Sequence, residues 1–264
     1  MKKTIKKVKR IIEGNDKKSI TTYLVLRLLV IICFIRELAN GNFQNAMLCV
    51  LSLILFLMPF FIEKKFKIKL PSILEIIILL FIFAAEILGE INNFYVSIPH
   101  WDTILHTLNG FLCASVGFSL VYLLNEKSDS IDLSPIFVSL VSFCFSMTIG
   151  IAWEFFEYGA DTLFNLDMQK DTYTNKINTV KTDSKKDNTV IKYNDIEYTI
   201  LYDSKGNEIT KINNYLDIGL HDTMKDLIVN FIGAFTYSIF GYLYIINKDK
   251  LKLAAKFLIK KEET

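Results

Sequence analysis

Carboxylate and imidazole side chains recur at helical spacing inside apolar stretches of this 264-residue sequence. The recurring pairs are Asp102 with His106, Glu154 with Glu157, and Asp222 with Asp226. Residues three or four positions apart lie on the same face of a helix. Carboxylate oxygens and imidazole nitrogens bind divalent metal ions, and the same groups act as general acids and bases. These six residues are therefore the candidate metal ligands.

Four further polar residues extend these faces or lie in a neighbouring apolar stretch. Asp161 and Asn230 each lie four residues beyond the last acid of their own motif. Glu86 and Glu90 are four residues apart in an earlier stretch. Ionisable groups are costly in hydrocarbon and usually face a bundle interior or a water-filled cavity. We expect all four residues to line the same polar pocket as the three motifs.

The stretches that carry these residues have the length and composition of membrane-spanning helices. Hydrophobic residues make up 52% of the chain, and its mean hydropathy is +0.33. Six stretches approach the roughly 20 apolar residues that a transmembrane helix needs. They are residues 20–38, 45–62, 72–89, 103–124, 135–156 and 223–246. The predicted fold is all-α, a polytopic bundle of six transmembrane helices with a small extracytoplasmic insertion that contains β-strands.

The positions of lysine and arginine predict how the six spans are oriented. These residues collect within residues 2–18, within residues 64–69 and after residue 247, whereas the connections 37–44 and 91–101 contain none. Because basic loops stay in the cytoplasm, both termini should be cytoplasmic. The third and fifth spans then run outward and end in acids, while the fourth and sixth run inward and begin with them. All the motifs therefore meet at the extracytoplasmic end.

The polar segment between the fifth and sixth spans is far longer than a helix connection needs. It occupies residues 162–221, between spans one to five at residues 20–161 and span six at residues 222–246. Strand-like runs at residues 189–193, 196–202 and 208–212, separated by turn residues, predict a small β-meander. Residues 171–188 are charged and poor in apolar side chains, so we expect no fixed structure there. The segment is either a decoration or a lid that gates access of a substrate.

Basic segments form both ends of the chain. Residues 1–19 form the cytoplasmic N-terminus, and residues 247–264 form the cytoplasmic tail. Lysines and apolar residues between positions 250 and 261 have amphipathic helical spacing, which predicts a helix lying on the inner leaflet and attracted to anionic lipid. Membrane lipids are the partner that these charges imply, and nucleic acid is not expected.

So many acids in one pocket require compensating charge, because they cannot all stay ionised and unpaired at low dielectric. A divalent metal ion would supply it, and a His among the ligands favours zinc, manganese or iron. Protons shared between coupled carboxylates are the metal-free alternative. Lys225 is expected to point away from the face of Asp222 and Asp226.

Several functions are compatible with the pocket. The first is binding of a cation or of the head group of an envelope lipid. A metal-dependent hydrolase is the second, with Glu154 or Glu157 as base and His106 as ligand or acid. A proton- or ion-coupled transporter is the third, and a hydrogen-bonded network between helices is the purely structural interpretation. The sequence decides neither whether the protein is an enzyme nor its oligomeric state.

The motifs resemble those of the YjdF-like bacterial inner-membrane proteins and, more distantly, those of the VanZ-like proteins. Both groups have an Asp and a His beginning one span, an acid ending the next, and an Asp-rich start to a final span with Asn and Gly. The matching positions are Asp102, His106, Glu154, Glu157, Asp222 and Asp226. The resemblance covers residues 97–242 apart from the insertion, which is longer than the connection in these families. It implies a protein of the bacterial cytoplasmic membrane with a role, and a substrate, in the cell envelope.

Overall fold

The computed structural model describes residues 17–66, 68–127, 132–247 and 257–261. These residues are mostly helical. Their α-helices are α1 (Lys17–Ala39), α2 (Phe43–Leu55), α3 (Met58–Phe66), α4 (Ser72–Ile82), α5 (Phe94–Ser97), α6 (Trp101–Lys127), α7 (Pro135–Phe164) and α8 (Leu220–Ile246). Six helical stretches of this part of the chain are long and apolar enough to cross a membrane, namely Lys17–Ala39, Phe43–Lys65, Ser72–Ile91, Trp101–Asn125, Pro135–Phe164 and Leu220–Ile246. The prediction of six candidate spans is confirmed.

Two of the six spans are not continuous α-helices. The second breaks at residues 56–57, between α2 and α3. The third continues from α4 into a π-helix, Phe83–Ile91, at whose end the side-chain amide of Asn92 donates a 2.6 Å hydrogen bond to the Ile87 carbonyl. Neither feature is visible in the sequence, because the apolar composition of the span does not change there.

The fifth span is longer than its apolar stretch. It begins at Pro135, a residue whose fixed φ suits the first position of a helix. It then continues to Phe164, two turns beyond the end predicted at residue 156. These two turns contain polar residues, which the apolar stretch used for the prediction did not include. The acids at the end of this span are therefore held on a regular helix.

The chain divides into two compact units. Unit 1 consists of Met1–Gly150 and Val229–Thr264, and unit 2 consists of Ile151–Ile228. The core of unit 1 has two clusters of buried apolar side chains. One includes Leu74, Phe118 and Tyr237, and the other includes Val30 and Leu79.

Small residues bring α6, α7 and α8 close together within unit 1. Ser142 of α7 donates a 2.7 Å hydrogen bond to the backbone carbonyl of Ala114. Ser146, one turn later, donates a 2.7 Å hydrogen bond to the carbonyl of Gly110. A side chain at Gly110 would collide with the backbone of Asn230. Glycine and serine at these positions therefore let the three helix backbones approach one another.

Unit 2 contains the predicted strands but pairs them differently. The strands are β2 (Thr172–Thr174), β3 (Ile177–Thr179), β4 (Ile191–Tyr193), β5 (Tyr198–Tyr202), β6 (Glu208–Asn213) and β7 (Tyr215–Asp217). They form three antiparallel pairs, β3 with β4, β5 with β6, and β2 with β7. The predicted meander is wrong, because β4 pairs with β3 and not with β5. The expectation of no fixed structure over residues 171–188 is also wrong, since β2 and β3 lie there and are stabilised by partners later in the sequence.

The end of the chain is extended. Strand β1 (Ile68–Lys69) pairs antiparallel with strand β8 (Lys260–Lys261), and both Phe257 and Ile259 are buried just before β8. The predicted amphipathic helix is therefore wrong over residues 257–261, because burial and strand pairing outweigh the helical spacing of the lysines. Residues 250–256 of that helix, and the basic residues 1–16, lie outside the described part of the chain.

Candidate functional site

Four carboxylates of unit 2 are buried, and we refer to them together as the acidic cluster: Glu154, Glu157, Asp222 and Asp226. Helix α7 carries the first two and helix α8 carries the last two. Their exposed fractions are 5%, 7%, 8% and 1%, in that order. Acidic residues are almost never this deeply buried unless they are paired. The burial therefore distinguishes these four from the other acids of unit 2, except Asp183, which is held in a turn by backbone amides.

Asp161 fixes the chain where it leaves α7. Its Oδ1 accepts a 2.6 Å hydrogen bond from the backbone amide of Met168, and its Oδ2 accepts a 2.9 Å hydrogen bond from that of Gln169. Both carboxylate oxygens thus bind the loop that follows the helix. The structure gives Asp161, a predicted pocket residue, the role of a loop anchor.

Asp222 fixes the same loop to the start of α8. Its Oδ2 accepts a 2.8 Å hydrogen bond from the backbone amide of Lys170. The side-chain amide of Gln169 donates a 2.5 Å hydrogen bond to the hydroxyl of Thr223. Residues 168–170 therefore join the end of α7 to the start of α8, and this joins the two helices that carry the acidic cluster.

Glu157 and Asp226 lie one turn farther into their helices than the two loop anchors. Glu157 Oε1 accepts a 2.7 Å hydrogen bond from the indole nitrogen of Trp153. Lys225 Nζ lies 3.7 Å from Asp222 Oδ1 and 3.8 Å from Asp226 Oδ1. The prediction that Lys225 points away from these acids is wrong, because its long side chain bends back to both carboxylates.

Basic residues are scarce on the two helices that carry the acidic cluster. Helix α7 contains no Lys or Arg, and α8 contains Lys225 and no other. The Lys225 side chain is 46% exposed, so water weakens its attraction to the acids. Lys225 is thus a weak source of compensating charge for these acids.

Asp102 and His106, the first predicted pair, lie together in unit 1. His106 Nε2 is 3.4 Å from Asp102 Oδ1, and the two side chains are 12% and 24% exposed. The helical spacing predicted this contact. An imidazole held by a carboxylate can bind a metal ion through its other nitrogen or exchange a proton.

Asn230 belongs to the helix packing of unit 1. It is 1% exposed, and its Oδ1 accepts a hydrogen bond of 3.4 Å from the side-chain amide of Asn109. Its amide nitrogen lies 3.6 Å from the sulfur of Met147. A Cβ added to Gly150 would lie only 2.6 Å from that nitrogen. Asn230, a predicted pocket residue, is thus enclosed by neutral groups of three helices.

Glu86 and Glu90 lie in the π-helix of the third span. Glu86 is half-buried, whereas Glu90 is exposed. π-Helical turns are rare and occur frequently at functional sites. The prediction that both residues line a shared pocket with the other motifs remains a prediction.

The loop and strands beside α7 in unit 2 carry further acids. Asp171 is exposed, and partial desolvation together with the charges of Asp167, Asp217 and Asp161 raises its pKa above the ordinary value. The pKa of Asp203, in the turn between β5 and β6, is lowered by hydrogen bonds from Asn207. Negative charge in unit 2 is therefore not confined to the two helices.

Three contacts near the candidate residues were not predicted. Asn109 follows His106 by three residues, Trp153 precedes Glu157 by four, and Lys225 lies beside Asp226. Helical spacing alone would have placed Asn109 and Trp153 on the correct faces. The position of Lys225 depends on the bending of a flexible side chain, which spacing does not reveal.

Six described helices that are able to span a membrane, with buried acids on three of them, define a polytopic helical membrane protein. The chain belongs to the family described as "Predicted membrane protein (DUF2238)", whose model matches residues 20–247. This match covers the insertion and all six candidate spans except the first three residues of the first span. It is consistent with the YjdF-like resemblance, and the more distant VanZ-like resemblance remains a prediction.

The chain is also similar to a protein of Thermotoga maritima that is described as an uncharacterized protein. The two are 28% identical over 105 residues, which is 40% of this chain and 53% of the relative. The chain thus spans about half the length of this curated relative. No solved structure matches the chain.

Proposed function

We propose that this membrane protein binds a divalent cation through Glu154, Glu157 and Asp226. The observation that carries the proposal is the burial of these carboxylates on two helices that residues 168–170 join together. Burying a carboxylate costs several kcal/mol unless its charge is compensated. A bound divalent cation would interact favourably with these buried carboxylates, in addition to the contacts that they make within the protein.

The chemistry of the ligands favours a divalent metal ion over an organic cation. Carboxylate oxygens are the ligands that magnesium, calcium and manganese prefer. Asp161 and Asp222 hold the loop between the helices, so they position the ligands without having to bind the ion themselves. Lys225 compensates part of the remaining charge from the exposed side.

Asp102 and His106 are further candidate metal ligands. This part of the proposal rests on the sequence, in which the topology brings the acids of four spans to one membrane surface. An imidazole ligand would shift the preference from magnesium and calcium to manganese, iron or zinc. The identity of the bound metal therefore tests whether His106 takes part.

The proposed location is the cytoplasmic membrane of a bacterium, with the site on the extracytoplasmic side and both termini in the cytoplasm. The distribution of lysine and arginine supports this orientation, because residues 64–69 are basic and residues 91–101 contain neither. A thiol-reactive, membrane-impermeant reagent tests it. A cysteine replacing Ser97 should react from outside intact cells, and labelling only after lysis would reverse the orientation.

Elemental analysis of the purified protein tests the cation site. The unsubstituted protein should contain a stoichiometric divalent metal, and Glu157→Gln and Asp226→Asn should each lose most of it. Glu75→Gln is the matched control, because Glu75 lies at the start of α4 and accepts a hydrogen bond from Ser19. This variant should keep the metal. His106→Ala should lose metal only if the imidazole is a ligand.

Two results would contradict the proposal. One is a purified protein that contains no divalent metal and takes up none on dialysis against magnesium, calcium, manganese or zinc. The other is metal that stays bound in both Glu157→Gln and Asp226→Asn. Either result would leave the acidic cluster neutralised by protons or by neighbouring side chains.

A further inference from the structure

The last residues of the chain enter the core of unit 1. The hydroxyl of Ser119, in the second half of α6, donates a 2.8 Å hydrogen bond to the carbonyl of Ser115 and a weaker, 3.3 Å one to that of Phe257. The same hydroxyl accepts a 3.2 Å hydrogen bond from the amide of Ile259. Phe257 and Ile259 are only 7% and 2% exposed. The buried Ser119 therefore contacts the C-terminal segment, residues 257–261, which packs back into unit 1. We call this segment the tail plug.

An aromatic pocket encloses the ring of Phe257. Its centroid lies 5.5 Å from that of Phe111 and 6.1 Å from that of Tyr237, both edge to face. Phe118 packs against Tyr237 in the same cluster. Phe111 lies about 24 Å along α6 from the end of the helix at Lys127, at 1.5 Å per residue. The tail plug thus reaches the middle of a membrane-spanning helix.

Few polar contacts hold the tail plug in this position. Among the described residues, they are the two hydrogen bonds through Ser119 and the two-residue ladder between β1 and β8. The hydroxyl of Tyr237 is buried in the same pocket and has no hydrogen-bond partner in the described part of the chain. An unsatisfied buried hydroxyl lowers the stability of the docked state.

The sequence gives the same segment a second favourable location. Lysines recur at positions 248, 250, 252, 256, 260 and 261, between apolar residues at helical spacing. A basic amphipathic segment binds the surface of a membrane that contains anionic lipid. Docking in the aromatic pocket and binding to the lipid surface compete for Phe257, Leu258 and Ile259, since the same apolar side chains serve both.

We propose that the tail plug is displaceable, and that anionic phospholipid releases it from unit 1. In a neutral membrane, residues 257–261 fill the aromatic pocket. In an anionic membrane, the lysines draw the segment to the lipid head groups, and the pocket beside Ser119 becomes accessible. Lipid charge then controls whether the inner half of unit 1 is closed. This inference does not depend on the cation site of unit 2.

A disulfide cross-link measures the docked fraction. Ser119→Cys and Ile259→Cys are combined in a chain whose native cysteines Cys33, Cys49, Cys113 and Cys144 are replaced by Ala. Reconstituted in phosphatidylcholine vesicles, the pair should cross-link under mild oxidation. Equal parts of phosphatidylcholine and phosphatidylglycerol should lower the yield. Ser52→Cys with Ile259→Cys is the control, because Ser52 is equally buried but belongs to α2, and this pair should not cross-link.

Charge variants test the role of the lysines. Each lysine near an anionic surface changes the ratio of released to docked tail by roughly fivefold. Replacing Lys252, Lys256, Lys260 and Lys261 by Gln should therefore restore cross-linking in anionic vesicles. Four Lys→Gln changes in unit 2, at Lys181, Lys185, Lys186 and Lys192, form the matched control and should not restore it.

Proteolysis of the unsubstituted protein gives a second measurement that needs no cysteine. Trypsin should cleave after Lys260 faster in anionic than in neutral vesicles, since the docked strand is protected. A cross-link that is absent in every vesicle, with both thiols reactive, would overturn the docking of the tail. Cross-linking and cleavage that are equal in the two vesicle types would overturn its release by lipid.

Discussion

In unit 1 the buried polar side chains of α6, α7 and α8 are neutral, whereas in unit 2 the buried polar side chains of α7 and α8 are carboxylates. Asn230 in unit 1 contacts Asn109 and Met147, and Ser142 and Ser146 donate to backbone carbonyls. Neutral groups can satisfy one another in a dry helix interface at little cost. The interface of unit 1 therefore needs no ligand.

The buried polar side chains of α7 and α8 in unit 2 are ionisable instead. Glu154, Glu157, Asp222 and Asp226 are almost as deeply buried as the serines of unit 1, and each can carry a negative charge. Neutral hydrogen-bond donors such as Trp153 reduce the cost of burial without removing the charge. The difference between the two regions supports a packing role for the polar groups of unit 1 and the proposal of a charged ligand in unit 2.

A larger side chain in the interface between the helices of unit 1 should cause the largest loss of stability. Gly110→Leu places a side chain against the backbone of Asn230, so we expect it to destabilise the protein by about 3 kcal/mol or more. Unfolding in a denaturing detergent, followed by tryptophan fluorescence, measures this loss. Gly159→Ala in α7 is the control, because no atom lies within 4 Å of an added Cβ there. If the two variants were equally stable, the close approach of the helices would be refuted.

Removing a neutral polar group should destabilise the protein without affecting the metal. Asn230→Ala loses the amide contacts with Asn109 and Met147, and we expect a loss of about 2 kcal/mol. Detergent unfolding and elemental analysis of the same preparation test both parts. A loss of metal in this variant at full stability would show that Asn230 belongs to the cation site.

Removing the hydrogen bonds that anchor the loop between α7 and α8 should cause a smaller loss of stability, confined to that loop. Asp161→Ala removes the acceptor of two backbone amides, those of Met168 and Gln169, at a cost of about 1–2 kcal/mol. Hydrogen exchange of these amides should accelerate, while the amides of β5 and β6 remain protected. Metal affinity should fall with the loss of positioning, and unchanged exchange would contradict the role of Asp161 as an anchor.

The smallest change in stability is expected for the acids that lie outside the helices. The raised pKa of Asp171 means that its charged form is disfavoured in the folded chain. Asp171 therefore destabilises the fold increasingly as pH rises above the pKa that the residue has in the unfolded chain. Asp171→Asn should therefore raise stability at pH 7, by less than about 0.5 kcal/mol because the group is exposed. Thermal unfolding should show no gain below about pH 4, where the acid is protonated in both states. Added salt should reduce the gain at pH 7.

The spans and the faces of the motifs could be predicted because apolar length and helical spacing are local properties. Asp102 and His106 meet as their spacing requires. Spacing does not specify which partner satisfies each polar group. Asp161 and Asp222 share faces with the other acids, but backbone amides of residues 168–170 occupy them, and this loop is far from Asp222 in the sequence.

The strand pairing and the tail were missed for a related reason. Strand β2 pairs with β7 across the whole insertion, and β8 pairs with β1 from the opposite part of the sequence. Such contacts gain their free energy from partners that a local window does not contain. The lysines of the tail do have amphipathic spacing, and in the structure Phe257 and Ile259 use their apolar surface inside the protein.

Calorimetric titration of the metal-stripped protein tests the cation site most directly, because it separates a bound ion from shared protons. Manganese or zinc should bind with one ion per chain and release protons, since carboxylates neutralised by protons must lose them to bind metal. Asp226→Asn should abolish the binding heat, and Asn230→Ala should retain it. Absence of saturable binding in a folded, metal-stripped protein would contradict the cation site.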